Sequence, residues 1–118
     1  MTTYDNLPVY KESYDLLVAL FKFTKEFGKE YKYTIGESIK KEVIEMITHI
    51  YRANSVIEQR AMHIGAAREN AEVIRLFLRL LRDLHQVDLK KFVLLNMKIE
   101  SVSKQLHAWQ KHCTVVPS

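Results

Sequence analysis

The sequence predicts an all-α fold: one domain folded as an antiparallel up-down four-helix bundle. Three observations carry that expectation. Apolar residues recur at alternating spacings of three and four along four stretches, the period of a helix face. Only three Gly and two Pro interrupt 118 residues, so the elements must be few and long. No alternating strand pattern and no Asn-Gly turn appears, and the length suits one core rather than two.

The first helix is expected over about 8–27. Pro8 suits a first turn, and Gly28 stands where the helix should end. Its apolar face uses Leu16, Leu17, Leu20, Phe23 and Phe27, flanked by Tyr10, Tyr14 and Phe21. After the short link "GKEYKY", Thr34 with Glu37 three residues on reads as a capping box, each side chain satisfying the other's free backbone N–H. The second helix, 35–57, carries Ile39, Val43, Met46, Ile50, Ala53 and Ile57 as a seam. The third, 60–84, repeats the seam with Ile64, Ala67, Ala71, Ile74, Leu78 and Leu81. In the link "HQVD", Asp88 is placed to cap the fourth helix, 89–112. Phe92, Leu95, Ile99, Val102, Leu106 and Trp109 follow, before a frayed tail "CTVVPS". Short links place consecutive helices side by side, which makes the bundle antiparallel.

The third helix is more apolar than a lone bundle needs. In "IRLFLRLLRDL", Leu76, Phe77, Leu78, Leu80, Leu81 and Leu84 cover about two hundred degrees, roughly twice the usual amphipathic stripe. Val93, Leu94 and Met97 lie off the seam of the fourth helix in the same way. A helix that is apolar on two sides should be covered on two sides, so self-association is expected through Leu76, Phe77, Leu80, Leu84, Val93, Leu94 and Met97. The simpler alternative is that flanking helices wrap these residues.

Chemistry-bearing patterns are scarce. His49, His63, His85, His107 and His112 are scattered; the nearest two, His107 and His112, are five apart and turned off a shared helical face. With one cysteine, Cys113, this predicts neither a metal site nor a disulfide. No Gly-x-Ser-x-Gly setting and no phosphate-cradling Gly loop is present. The pairs Glu42/Glu45 and Glu69/Glu72 read as solvated helix charges. No catalytic group, cofactor or small-molecule substrate is therefore expected, and an enzyme such as a nuclease has no residue pattern to support it. No apolar run has membrane-spanning length, and the N-terminus has neither a basic leader nor a hydrophobic segment, so a cytoplasmic protein is expected.

Charge is concentrated in the second half. Residues 1–59 hold eight Lys/Arg against nine Asp/Glu, a net of −1, whereas residues 60–118 hold ten against five, a net of +5. Arg68, Arg75, Arg79 and Arg82 fall in one strip of the third helix, and Lys90, Lys91, Lys98, Lys104 and Lys111 add charge on the fourth. Arginine favours bidentate contact with phosphate or carboxylate. The strip can bind a polyanion, or pair with Glu12, Glu37, Glu42 or Glu45 of neighbouring helices or subunits. In "KEYKY", the tyrosines can stack on bases or pin a loop to the bundle.

Three stretches carry a resemblance. "LPVYKESYDLLVALFKFTKEFGKEYKYTIGESIKKEVIEMITHIYRANS", "RENAEVIRLFLRLLRDLHQVD" and "QLHAWQK", together about residues 7–111, resemble the small bundle proteins typified by the accessory variability determinant (Avd) of diversity-generating retroelements. The chain is also similar to proteins encoded in intervening sequences of 23S ribosomal RNA genes. Those carry an "NIAEG"-like end on the second helix, where this chain reads "IYRANS", Ile50 to Ser55, which points to the Avd branch. The resemblance implies a cytoplasmic, basic, barrel-shaped homopentamer without catalysis of its own. It implies binding to a reverse transcriptase and to RNA or DNA, so that error-prone cDNA can be made. Arg75 and Arg79 fall at the family's typical basic positions. The competing expectation is a bundle that binds protein only, or a ribosomal-RNA-associated relative.

Overall fold

Pro8 opens the first helix as expected, its missing N–H costing nothing where no intrahelical acceptor exists. The structure is a computed structural model in which residues 6–115 are described. Four long helices, α1 (Pro8–Thr24), α3 (Ile35–Ser55), α4 (Arg60–Asp83) and α5 (Leu89–Val115), are joined by tight links. A single helical turn, α2 (Lys29–Lys32), lies between α1 and α3, and a 3-10 turn, Ile57–Gln59, lies between α3 and α4. This is the all-α four-helix bundle the sequence predicts. It is elongated, 51 × 20 × 19 Å.

Each long helix packs on two others. α1 lies against α3 and α5, and α4 lies against α3 and α5. The bundle is thus a square in which the α1/α3 side is opposite the α4/α5 side. The predicted seams fill its centre: Leu16 and Leu20 from α1, Ile39 to Ala53 from α3, Ile64 to Leu81 from α4, and Leu95, Ile99, Val102 and Leu106 from α5 are buried. Burying such a side chain stabilises the fold by about 1.5–3 kcal/mol, and long helices gain most of their stability in this way rather than from propensity.

Helix ends depart from the expectation in four places. α1 stops at Thr24, before Phe27 and Gly28, because Glu26 and Phe27 donate to the carbonyls of Phe23 and Thr24, three residues back, tightening the chain out of the α-helix. Gly28 does not need its conformational freedom there; its N–H donates to Gln86 Oε1 at 2.8 Å. Thr34 forms no capping box. Its hydroxyl donates to the Glu30 carbonyl of the preceding turn at 2.7 Å, and Glu37 pairs instead with Lys40 at 3.3 Å. α3 ends at Ser55, so Ile57 leaves the seam and is exposed. There Arg60 donates to the carbonyls of Ala53 and Asn54 in the last turn of α3. Past the other end, α5 runs three residues beyond 112, through part of the expected tail; residues 116–118 lie outside the described residues.

The α4–α5 link follows its sequence signals. Asp88 Oδ1 accepts the Lys91 N–H at 2.8 Å, as a capping aspartate should. α4 closes with Gln86 N–H on Leu81 O and His85 N–H on Arg82 O, the paired bonds of a Schellman motif. His85 takes the left-handed position of that motif, φ 58°, where glycine is usual.

Candidate functional site

The arginines of α4 share one side because residues three, four and seven apart return to one helical face. That side meets α5. Arg75 forms two parallel bonds with Glu100, Nε to Oε1 at 2.8 Å and Nη2 to Oε2 at 2.9 Å, and also pairs with Glu72. The hydrogen bond to Glu100, against a smaller opposing effect of burial, holds its pKa above the ordinary guanidinium value. Arg68 donates to Gln110 of α5. Arg82 lies 4.8 Å from the centre of the Phe92 ring and 3.6 Å from Asp83. Arg79 alone of the four is exposed with no anionic partner among the described residues.

Within the chain, the expected partners Glu12, Glu37, Glu42 and Glu45 do not pair with this row among the described residues. Its partners come from α4 itself and from α5, because the row lies on the side of α4 away from α3.

The lysines do not extend the row. Lys91 points to α1, bonding Glu26 at 2.9 Å and lying 5.2 Å from the centre of the Phe23 ring; that hydrogen bond is the main cause raising its pKa. Lys98 is seven residues on, two turns along the same side, and is half-buried. Lys90 is exposed. A shallow groove lined by Gly65, Arg68, Glu69, Glu72, Arg75 and Ser103 runs between α4 and α5, carrying both signs of charge.

Apolar residues flank the arginines. Leu76, 62% exposed, and Leu80 lie on α4 beyond Arg79, away from α5. Val93, Leu94 and Met97, the last 66% exposed, lie on the outer side of α5, where with Phe23, Lys90 and Lys91 they line a groove. Phe77 and Leu84, expected with them, are half-buried, Phe77 packing on the core.

A second apolar surface was not singled out from sequence. Tyr14, 53% exposed, Leu17, Val18 and Phe21 line a groove on α1 with Lys22 and Lys25. Lys40 of α3 lies 4.4 Å from the centre of the Phe21 ring, and exposed Ile44 and Tyr51 continue the Lys40 face along α3. Tyr14 and Phe21 had been visible only as flanks of the first helix; their exposure depends on where α3 sits.

The histidines are not all scattered. His49 and His63, on α3 and α4, meet with 3.0 Å between Nδ1 atoms. Both are seven residues from Val56, the hinge of the α3–α4 hairpin, and Glu42 and Asn70, each fourteen away, meet in the same register at 2.8 Å. Counting outward from a predicted hinge is the signal that could have found both pairs. Among the described residues no three His, Cys, Asp or Glu side chains form a possible metal site, and no helix is long and apolar enough to cross a membrane.

Fold and surface together define a class: a helical bundle whose outer faces carry arginine and apolar side chains. Residues 8–113 match the family model described as bAvd-like, nearly the whole chain, and the protein belongs to that family. It is the family the sequence resembles. No curated protein matches the chain.

Proposed function

We propose that the chain is a non-catalytic accessory protein that assembles into a ring and binds nucleic acid together with a reverse transcriptase, in support of mutagenic cDNA synthesis by a diversity-generating retroelement. Membership of the bAvd-like family carries this reading. The surface supports it in two ways. Apolar patches on different sides of the bundle, one across α1 and α3 and one on the outer side of α5, suit head-to-tail contact between copies, the arrangement that closes rings, whereas a two-fold dimer needs one self-complementary face. Arg79, charged at any physiological pH and without an acidic partner among the described residues, is available to phosphate. By family resemblance the ring is a cytoplasmic pentamer.

A second reading, a bundle that binds protein only, is favoured by the Arg75–Glu100 and Arg68–Gln110 contacts, which engage two of the four arginines internally. Light scattering at micromolar concentration, with titration of labelled single-stranded RNA at several salt concentrations, separates the two. Assemblies larger than a dimer that bind RNA with steep salt dependence are expected. A monomer defeats the ring; an assembly indifferent to RNA leaves the protein-only reading.

A further inference from the structure

Near the hinge of the α3–α4 hairpin, His63 is buried and His49 half-buried. Their ring centroids are 5.3 Å apart and their Nδ1 atoms 3.0 Å apart. The difference, 2.3 Å, is two imidazole radii, so the two nitrogens point straight at each other. Ligand nitrogens must instead converge on a third point about 2.0–2.1 Å from each, whereas the midpoint here is 1.5 Å from each. The arrangement fits a shared proton and excludes a shared metal ion.

Hydrogen bonding assigns the protons. His63 Nε2 lies 3.2 Å from Gln59 Oε1. A carbonyl oxygen accepts, so His63 Nε2 carries a proton and, in the neutral ring, His63 Nδ1 is the acceptor. His49 Nδ1–H is then the donor, and His49 Nε2 keeps the lone pair open to a further proton.

We propose that the His49–His63 pair is a pH-sensitive latch on the α3–α4 hairpin, closed at neutral pH by its shared proton and released on acidification. Proton counting drives the release. Closed, the pair has room for one more proton, on His49 Nε2. A second would set two N–H donors head to head at 3.0 Å. Opened, each ring can take up a proton without facing the other, and each proton of difference favours the open form by up to about tenfold per pH unit.

The surroundings act in the same direction. Burial first, then the charges of His63 and Arg52, lower the His49 pKa, and Glu45 opposes them only in part. Arg52 and Glu45 belong to α3 itself; α4 presents His63, and the 3-10 turn presents neutral Gln59. No charged group of α1 or α5 acts on His49 among the described residues. A histidine whose folded pKa is depressed contributes its full stability above the unfolded value. That contribution is lost as pH falls below about 6.5. The latch stands sixteen residues along α4 from Arg79, about 24 Å, so its release leaves the α4/α5 face in place.

Native-state hydrogen exchange between pH 7.5 and 5, corrected for intrinsic rates, tests the latch. In the wild type, protection of Ile50, Ala53 and Ile64 should fall about tenfold per pH unit below 6.5 relative to Ile39 and Ile74, toward the other end of the hairpin. His49→Gln, which cannot titrate, should flatten that difference. Imidazole nitrogen NMR of the wild type supplies a reading independent of any variant, with His49 titrating below the free-imidazole value. Near and far amides that lose protection in parallel, or a His49 that titrates at or above that value, overturns the proposal.

Discussion

Arg75 and Glu100 join α4 to α5 through two parallel hydrogen bonds, while Arg79, one turn further on the same side, has no acidic partner among the described residues. Sequence places the two arginines together; the structure gives them different work. The pair is partly screened, with side chains 31% and 43% exposed, so Arg75→Gln should cost about 1 kcal/mol of stability and change RNA affinity little. Arg79→Gln should leave stability unchanged and flatten the salt dependence of RNA binding by about one unit. Urea denaturation and salt-dependent RNA titration check both. An Arg75 variant of full stability that binds RNA poorly would reverse the assignment.

His85 occupies a left-handed conformation, φ 58°, at the end of α4. A side chain with a Cβ pays about 1–2 kcal/mol for that conformation, and glycine does not. His85→Gly should therefore raise stability by about 1 kcal/mol, part of the gain being lost to the greater freedom of glycine in the unfolded chain. A lower melting temperature for this variant would show that the exposed imidazole contributes a contact worth more than the strain.

Two helical glycines should respond oppositely to alanine. A Cβ on Gly65 would meet only the end of the Gln110 side chain, at 3.3 Å, which can yield. Gly65→Ala should then gain up to about 1 kcal/mol of helix propensity. A Cβ on Gly36 would lie 3.2 Å from the Tyr31 backbone carbonyl, with Phe27 and Thr24 packed close behind. Gly36→Ala should be destabilising despite the better propensity, because backbone must move to admit it. Equal gains from both, measured by thermal unfolding, would contradict the packing argument.

What sequence revealed and what it hid divide along a physical line. Seams such as Ile39–Val43–Met46 and the Asp88 cap are local, set by spacing along one helix, and they appear where expected. Thr34 is local too, yet its signal failed, because the preceding residues formed a helical turn whose Glu30 carbonyl competed for the hydroxyl. The Arg75–Glu100 bond, the His49–His63 contact and the exposure of Tyr14 depend on which helix faces which. Periodicity cannot supply that, since it fixes a face and not its neighbour.

The two apolar faces allow a complementation test of the proposed ring. Ile44 and Phe21 lie on the α1/α3 side, Val93 and Met97 on the outer side of α5. If copies meet head to tail, each contact uses one face from each copy, so Ile44→Asp and Met97→Asp should each abolish assembly by burying an unpaired charge. Both residues are exposed, so the monomers should stay folded, with helical circular dichroism and melting temperatures near those of the unassembled wild type. Mixed in equal amounts, the two variants still offer one intact α5 patch and one intact α1/α3 face. They should form a 1:1 heterodimer that grows no further, because its remaining faces are the substituted ones. Sedimentation or mass photometry of the mixture reads this directly. Two-fold contacts through a single face predict otherwise: one variant would assemble by itself, and mixing would recover nothing.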